Sequence, residues 1–268
     1  MSWPLPRDLD VLHDTIIKYA TRVHAAVTSK YERTSQGPLS HTALLNLHRI
    51  AIVNHRSIRS LCEEGWTPTS PTLIRTLLDV LVNTYAVVSK HGDAEYMGFK
   101  YMCSYLIQAT KGPDTSEKLR AFDNEQLNKM RAELRGPDIE RVDKLIANYK
   151  LPPYWFQPEF STPGGIIKQT MPQMFPMYRQ FSGSTHGAFI GSLLFNDSPD
   201  AAHIEPQENP AGTRKAVVSS SKLLLDISWA RGSFHNVADI DEYKYIVKTF
   251  ITPQKAEIEN HDLGSILD

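Results

Sequence analysis

Apolar residues recur along this chain at steps of three and four, and nowhere do they alternate in the two-residue rhythm of a half-buried strand bounded by turn signals. Leu12, Ile16, Tyr19, Val23 and Val27 mark a helix over 8–30 that ends before Ser35-Gln36-Gly37-Pro38. A second runs from Ser40, read as its N-cap, through Leu44, Leu47, Ile50, Ala51, Ile58 and Leu61 to Gly65. A third starts with Ser70 as cap and Pro71 in the first turn, where its missing N–H costs nothing, and reaches Lys90. Further helices are expected over 93–110, within 116–135 with a short continuation at 137–148, and over 172–195, 213–235 and 239–249. Residues 150–172 carry five prolines and the run Tyr154-Trp155-Phe156, the composition of a long structured loop. Such loops are uncommon unless they cover something.

The expectation is an all-α, single-domain bundle of about seven to eight helices over residues 1–252, with a tail at 253–268. A chain of 268 residues, 41% hydrophobic and 22% charged, is long enough for one large core. Its net charge of −1 lacks the footprint of a general nucleic-acid binder, which leaves only a local basic face. No basic start with an apolar signal core and no membrane-length apolar run is visible, so a cytoplasmic location away from membranes is expected. Cys62 and Cys103 lack metal-ligand spacing and are expected to be reduced. Without HExxH, a glycine-rich phosphate loop or cysteine–histidine zinc spacing, neither a metal nor a cofactor is implied.

The third helix concentrates the functional signal. Between Thr72 and Ser89 its charged residues are Arg75 and Asp79, one turn apart, with Asn83 a turn further. The cation lies N-terminal to the anion, the weaker orientation for helix support, which together with the apolar surroundings points to an interior pair needing other polar partners. The 172–195 helix offers them: Tyr178, Ser182 and His186 are spaced four apart, and Arg179 returns to the His186 face after two turns. A histidine held by a carboxylate or hydroxyl can act as acid or base near neutral pH, and an arginine beside it can bind phosphate through its planar fork. The competing reading is a structural network that registers the helices and performs no reaction. A third is a pocket for a small anionic ligand beneath the 150–172 loop. The helix at 41–62 has no acidic residue, and its polar arc holds His41, His48, Arg49, His55, Arg56 and Arg59. That arc reads either as a solvated surface or as a track for RNA or another polyanion.

The segment Ser70-Pro71-Thr72-Leu73-Ile74-Arg75-Thr76-Leu77-Leu78-Asp79, followed by Tyr178-Arg179-Gln180-Phe181-Ser182-Gly183-Ser184-Thr185-His186-Gly187, resembles the two signatures of a widespread uncharacterised bacterial helical family, over roughly residues 40–240. Arg179 followed by six residues and His186 is also similar to the Arg-(four to six)-His motif of HEPN domains. HEPN motifs usually place Asn, Asp or His after the arginine, where this chain has Gln180. These are helical bundles that often dimerise and act as metal-independent ribonucleases. That resemblance implies a homodimer, with His186 as general acid/base and Arg179 as phosphate ligand. The expected site has His186 as acid/base and Arg179 or Arg75 as phosphate ligand, with Asp79 and Ser182 orienting their partners. Tyr178, Asn83, Arg49, Arg56 and Arg59 are the expected substrate-binding residues.

Overall fold

The computed structural model describes residues 2–31, 38–89, 93–111, 117–132, 139–141, 143–144, 155–156, 162–175, 178–179 and 208–258. These form helices and, among the described residues, no strand. In chain order they are α1 (Arg7–Tyr31), α2 (Leu39–Glu63), a 3-10 turn at Thr67–Thr69, α3 (Ser70–Val88), α4 (Ala94–Lys111), α5 (Glu117–Ala132) and α6 (Pro163–Thr170). A second 3-10 turn at Pro172–Met174 precedes α7 (Pro210–Phe234) and α8 (Ile240–Ile246). A π-helical turn at Val247–Ile251 follows α8, and the chain stays helical to residue 258.

The first helix follows its apolar rhythm: Leu12, Ile16, Tyr19, Val23 and Val27 are all buried, so the periodicity identifies the face that packs. Side-chain pairings set the directions of the central helices. His13 meets Arg59 and His55, His24 meets His48, and Tyr31 meets His41, so α1 and α2 are antiparallel. Ser220 meets His55, Ser228 meets His48 and His235 meets His41, so α7 is antiparallel to α2 as well. One hydrophobic core runs through α1, α2, α3 and α7 and extends to Phe99 of α4 and Ile166 of α6. The segment Thr67–Val88 is long and apolar enough to cross a membrane, but just over half of that window is buried in the bundle, as expected for a core helix.

Three boundaries differ from the sequence reading for identifiable reasons. Ser40 is not the N-cap of α2, which begins at Leu39 after Pro38. The cap comes from another helix: Glu95 of α4 accepts from the Leu39 N–H at 2.8 Å and from the Ser40 hydroxyl. A carboxylate there satisfies a free backbone N–H and meets the positive end of the helix dipole. The supposed loop at 150–172 contains α6, because Thr162 is the N-cap, its hydroxyl accepting from the Gly165 N–H at 3.0 Å, and Pro163 occupies the first helical position. The last helix runs past the expected 239–249 to residue 258, where Arg214 of α7 contacts Gln254 and pairs with Glu257 at 2.6 Å. Cys62 is a buried free thiol whose pKa burial pushes up.

Candidate functional site

Arg75, Asp79 and Asn83 form a row along α3, one turn apart. Arg75 Nη2 pairs with Asp79 Oδ1 at 3.0 Å; the arginine side chain is 15% exposed and the aspartate 48%. The pair therefore lies at the edge of the core rather than inside it. Burial raises the Asp79 carboxyl above the usual aspartate range, and Arg75 opposes that shift. The Arg75 guanidinium lies over the Tyr178 ring, 4.9 Å from its centre, and its Nη1 is buried without a hydrogen-bond partner among the described residues.

A cover segment lies over this row. Trp155 donates its indole N–H to Asn83 Oδ1 at 2.8 Å and packs edge-on against Tyr101. Tyr178 stacks on Phe175, and Lys168 of α6 sits 4.3 Å from the Phe175 ring centre. Gly164 permits this approach, because a Cβ there would meet Phe175 at 3.2 Å. The structure thus brings Arg75, Asp79 and Tyr178 together and ties Asn83 to Trp155. Arg179 is exposed, and Ser182 and His186 lie outside the described residues.

The basic arc of α2 requires correction. Arg49 and Arg56 are exposed, but His41, His48 and His55 are buried, and Ile50, part of the apolar rhythm of this helix, is 39% exposed. Arg59 is engaged by Asp10 at 2.7 Å, Asp14 at 3.4 Å and Glu63 at 3.0 Å. The histidines turn inward because α1 and α7 supply them with polar partners. His48 Nδ1 accepts from Arg231 Nη1 at 2.7 Å, so its proton is on Nε2, which meets Ser228 Oγ at 2.8 Å; the Ser228 hydroxyl in turn donates to the Leu224 carbonyl at 2.7 Å. His55 Nδ1 meets Ser220 Oγ at 2.9 Å, and its ring stacks on His13 with centres 4.7 Å apart. Burial and the nearby cations push both the His48 and His55 imidazoles well below their ordinary range, so they are neutral near pH 7.

Sequence reasoning missed Arg231, His235, His24, His13, Ser220 and Ser228. A signal existed: residues seven apart on a helix differ by only about 20° in direction, so His41, His48 and His55 form one line, and a single line beside an apolar arc has one neighbour. A cavity of about 420 Å³ between α3, α6 and α7 is lined by Tyr85, Val88, Ser89, Thr170, Trp229 and Phe234, among others. Its described lining carries no charged side chain. Among the described residues, no three histidine, cysteine or acidic side chains are grouped to hold a metal.

Residues 41–203 match the model of a family of unknown function, DUF5677. The chain belongs to that family. The DUF5677 match takes in α2, the α3 row, the α6 cover and the span containing Ser182 and His186, and it leaves α1 and α7 outside. No curated protein and no solved structure matches the chain.

Proposed function

We propose that the α3 face is the phosphate-binding site of a HEPN-like, RNA-binding protein that cleaves its substrate by acid/base chemistry without a metal. The observation that carries this reading is Arg75: Asp79 and Tyr178 fix its guanidinium while Nη1 is left with an unused N–H, so its fork is aimed before any ligand arrives. In this scheme Arg75 and Arg179 hold the phosphate and Asp79 keeps Arg75 oriented. His186 takes the proton of the ribose 2′-hydroxyl, with Ser182 as its hydrogen-bond partner. That oxygen attacks phosphorus, the 5′-oxygen leaves with the proton that His186 took up, and a 2′,3′-cyclic phosphate remains. Arg49 and Arg56 extend the contact along exposed α2.

Labelled RNA incubated with protein in EDTA tests this directly. Wild type should bind and cleave, His186→Ala should bind without cleaving, and Arg75→Ala should bind at least about 10-fold more weakly, as expected for a lost charge-assisted hydrogen bond. Absence of cleavage by wild type, or equal cleavage by His186→Ala, would remove the catalytic claim. Undiminished binding by Arg75→Ala would remove the site. The Trp155–Asn83 hydrogen bond favours a second reading, in which the row anchors the cover segment and binds nothing. On that reading, Arg75→Ala loses stability and RNA binding is absent from wild type.

A further inference from the structure

Arg231 is fully buried, and no carboxylate among the described residues pairs with it. Its Nη1 spends both hydrogens on imidazoles, donating to His48 Nδ1 at 2.7 Å and His24 Nδ1 at 3.2 Å. Its Nε and Nη2 have no hydrogen-bond partner among the described residues. Those two N–H groups share one edge of the planar guanidinium, the edge that grips a carboxylate or phosphate in two-pronged fashion. A buried charge left in that state is costly unless something negative meets it.

The surroundings are polar and one-signed. His41 Nδ1 of α2, His235 Nε2 of α7 and Thr28 Oγ1 of α1 are also buried and unpartnered among the described residues. The His41 and His235 rings lie 5.4 Å apart, and His235 Nδ1 meets the Tyr31 hydroxyl at 3.1 Å. Lys30 adds a cation at the end of α1, its Nζ on the His235 carbonyl at 2.6 Å. Burial and the Arg49 charge both depress Arg231, to about 10, while burial and Arg231 hold His41 near 4 and burial, His41 and Arg231 do the same to His235. Glu95 of α4, whose charge raises the Tyr31 hydroxyl, is committed to the start of α2.

We propose that the junction of α1, α2 and α7 is a second anion site, in which the Nε–Nη2 edge of Arg231 grips a small oxyanion of the phosphate class. A phosphate fits better than a carboxylate, because it offers oxygens to the arginine edge and to both His41 and His235. The arginine edge and the two imidazoles match the oxygens of a single phosphate group, so the ligand is inorganic phosphate or the terminal phosphate of a nucleotide. The half-buried His24 and the exposed Arg49 mark the side open to solvent. This site shares no residue with the α3 row.

Calorimetric titration of the full chain with inorganic phosphate, sulfate, adenosine monophosphate and acetate tests the proposal. In Arg75→Ala, which lacks the guanidinium of the α3 face, phosphate and sulfate should bind at one site per chain, with acetate at least ten-fold weaker; binding by the nucleotide as well identifies a terminal phosphate as ligand, and its failure identifies the free ion. Arg231→Met, which keeps the volume and removes the edge, should weaken phosphate at least ten-fold. Arg231→Lys, which keeps the charge without the edge, should do the same. Persistence of this site in Arg75→Ala separates it from the α3 face. The pH dependence in Arg75→Ala also decides: an anion raises the proton affinity of His41 and His235, so sulfate, whose charge is constant over this range, should bind more tightly at pH 6 than at pH 8. No saturable binding in Arg75→Ala, wild-type affinity in either Arg231 variant, or pH-independent sulfate affinity would each overturn the proposal.

Discussion

His48 of α2 accepts a hydrogen bond from Arg231 of α7 at 2.7 Å, with both side chains fully buried. The contact holds His48 neutral in one tautomer and joins Arg231 to a chain ending at the Leu224 carbonyl through Ser228. Polar groups placed this way fix the relative register of two antiparallel helices, because a shift of one residue would leave every partner unmatched.

His48→Ala should therefore be costly. It removes a packed ring and leaves both Arg231 Nη1 and Ser228 short of a partner, for a loss of about 2–4 kcal/mol. Arg231→Met should cost less or stabilise, because it removes a buried cation while keeping the volume. Urea unfolding at pH 7.5 measures both, and an equal or larger loss in Arg231→Met would contradict the assignment of a costly buried charge.

Acid should unfold the protein through its histidines. His41 and His235 are both buried, with pKa values held near 4, against about 6.5 in an unfolded chain. Between those values the unfolded state binds more protons, so stability is complete above pH 6.5 and falls as pH drops toward 4. Each group accounts for a loss on the order of 3 kcal/mol by pH 4, and His48 and His55 shift in the same direction. Circular dichroism against pH should show cooperative unfolding in this window, moved to lower pH by His41→Phe. A transition unmoved by that substitution would exclude His41 as a contributor.

The same residues show what the sequence conceals. Apolar spacing of three and four is a one-dimensional trace of burial, so α1, α2, α3 and α7 were legible from it. A histidine carries no such trace, since its solvation depends on a partner that belongs to another helix. His48 read as surface until Arg231 and Ser228 stood opposite it. Arg75 and Asp79 were legible as a pair because little else on α3 is charged, but the half-exposure of Asp79 depends on the cover around Trp155 and Tyr178. Helix α6 was hidden because Pro163 and two following glycines have loop composition, while its cap, Thr162, is a single residue.

Gly98 is expected to tolerate no side chain. A Cβ there would fall 2.7 Å from Ser40 Cα and N and 2.9 Å from the Leu39 carbonyl carbon, all backbone atoms that cannot rotate away. Glu95, three residues earlier on α4, caps α2 at the same point, so separating the helices to admit a methyl group also strains that cap. Gly98→Ala should lose about 1–3 kcal/mol, the usual cost of overpacking, despite the higher helix propensity of alanine. Thermal unfolding decides it, and a gain in melting temperature would contradict the close approach of α4 to α2.

The α3 pair should behave asymmetrically. Asp79 is half exposed, and an ion pair open to water contributes about 1 kcal/mol or less, so Asp79→Ala should leave stability nearly unchanged. Arg75→Ala should cost more, about 1–3 kcal/mol, since the side chain is largely buried and lies over Tyr178. Removing Asp79 also frees Arg75 Nη2 for an anion, so Asp79→Asn should preserve or strengthen phosphate binding at this face, whereas the same change would abolish cleavage if Asp79 must hold Arg75 in line. Urea unfolding, phosphate titration and RNA cleavage on one set of variants separate these roles. A loss of several kcal/mol in Asp79→Ala would show that the carboxylate is enclosed and that the row is a strut.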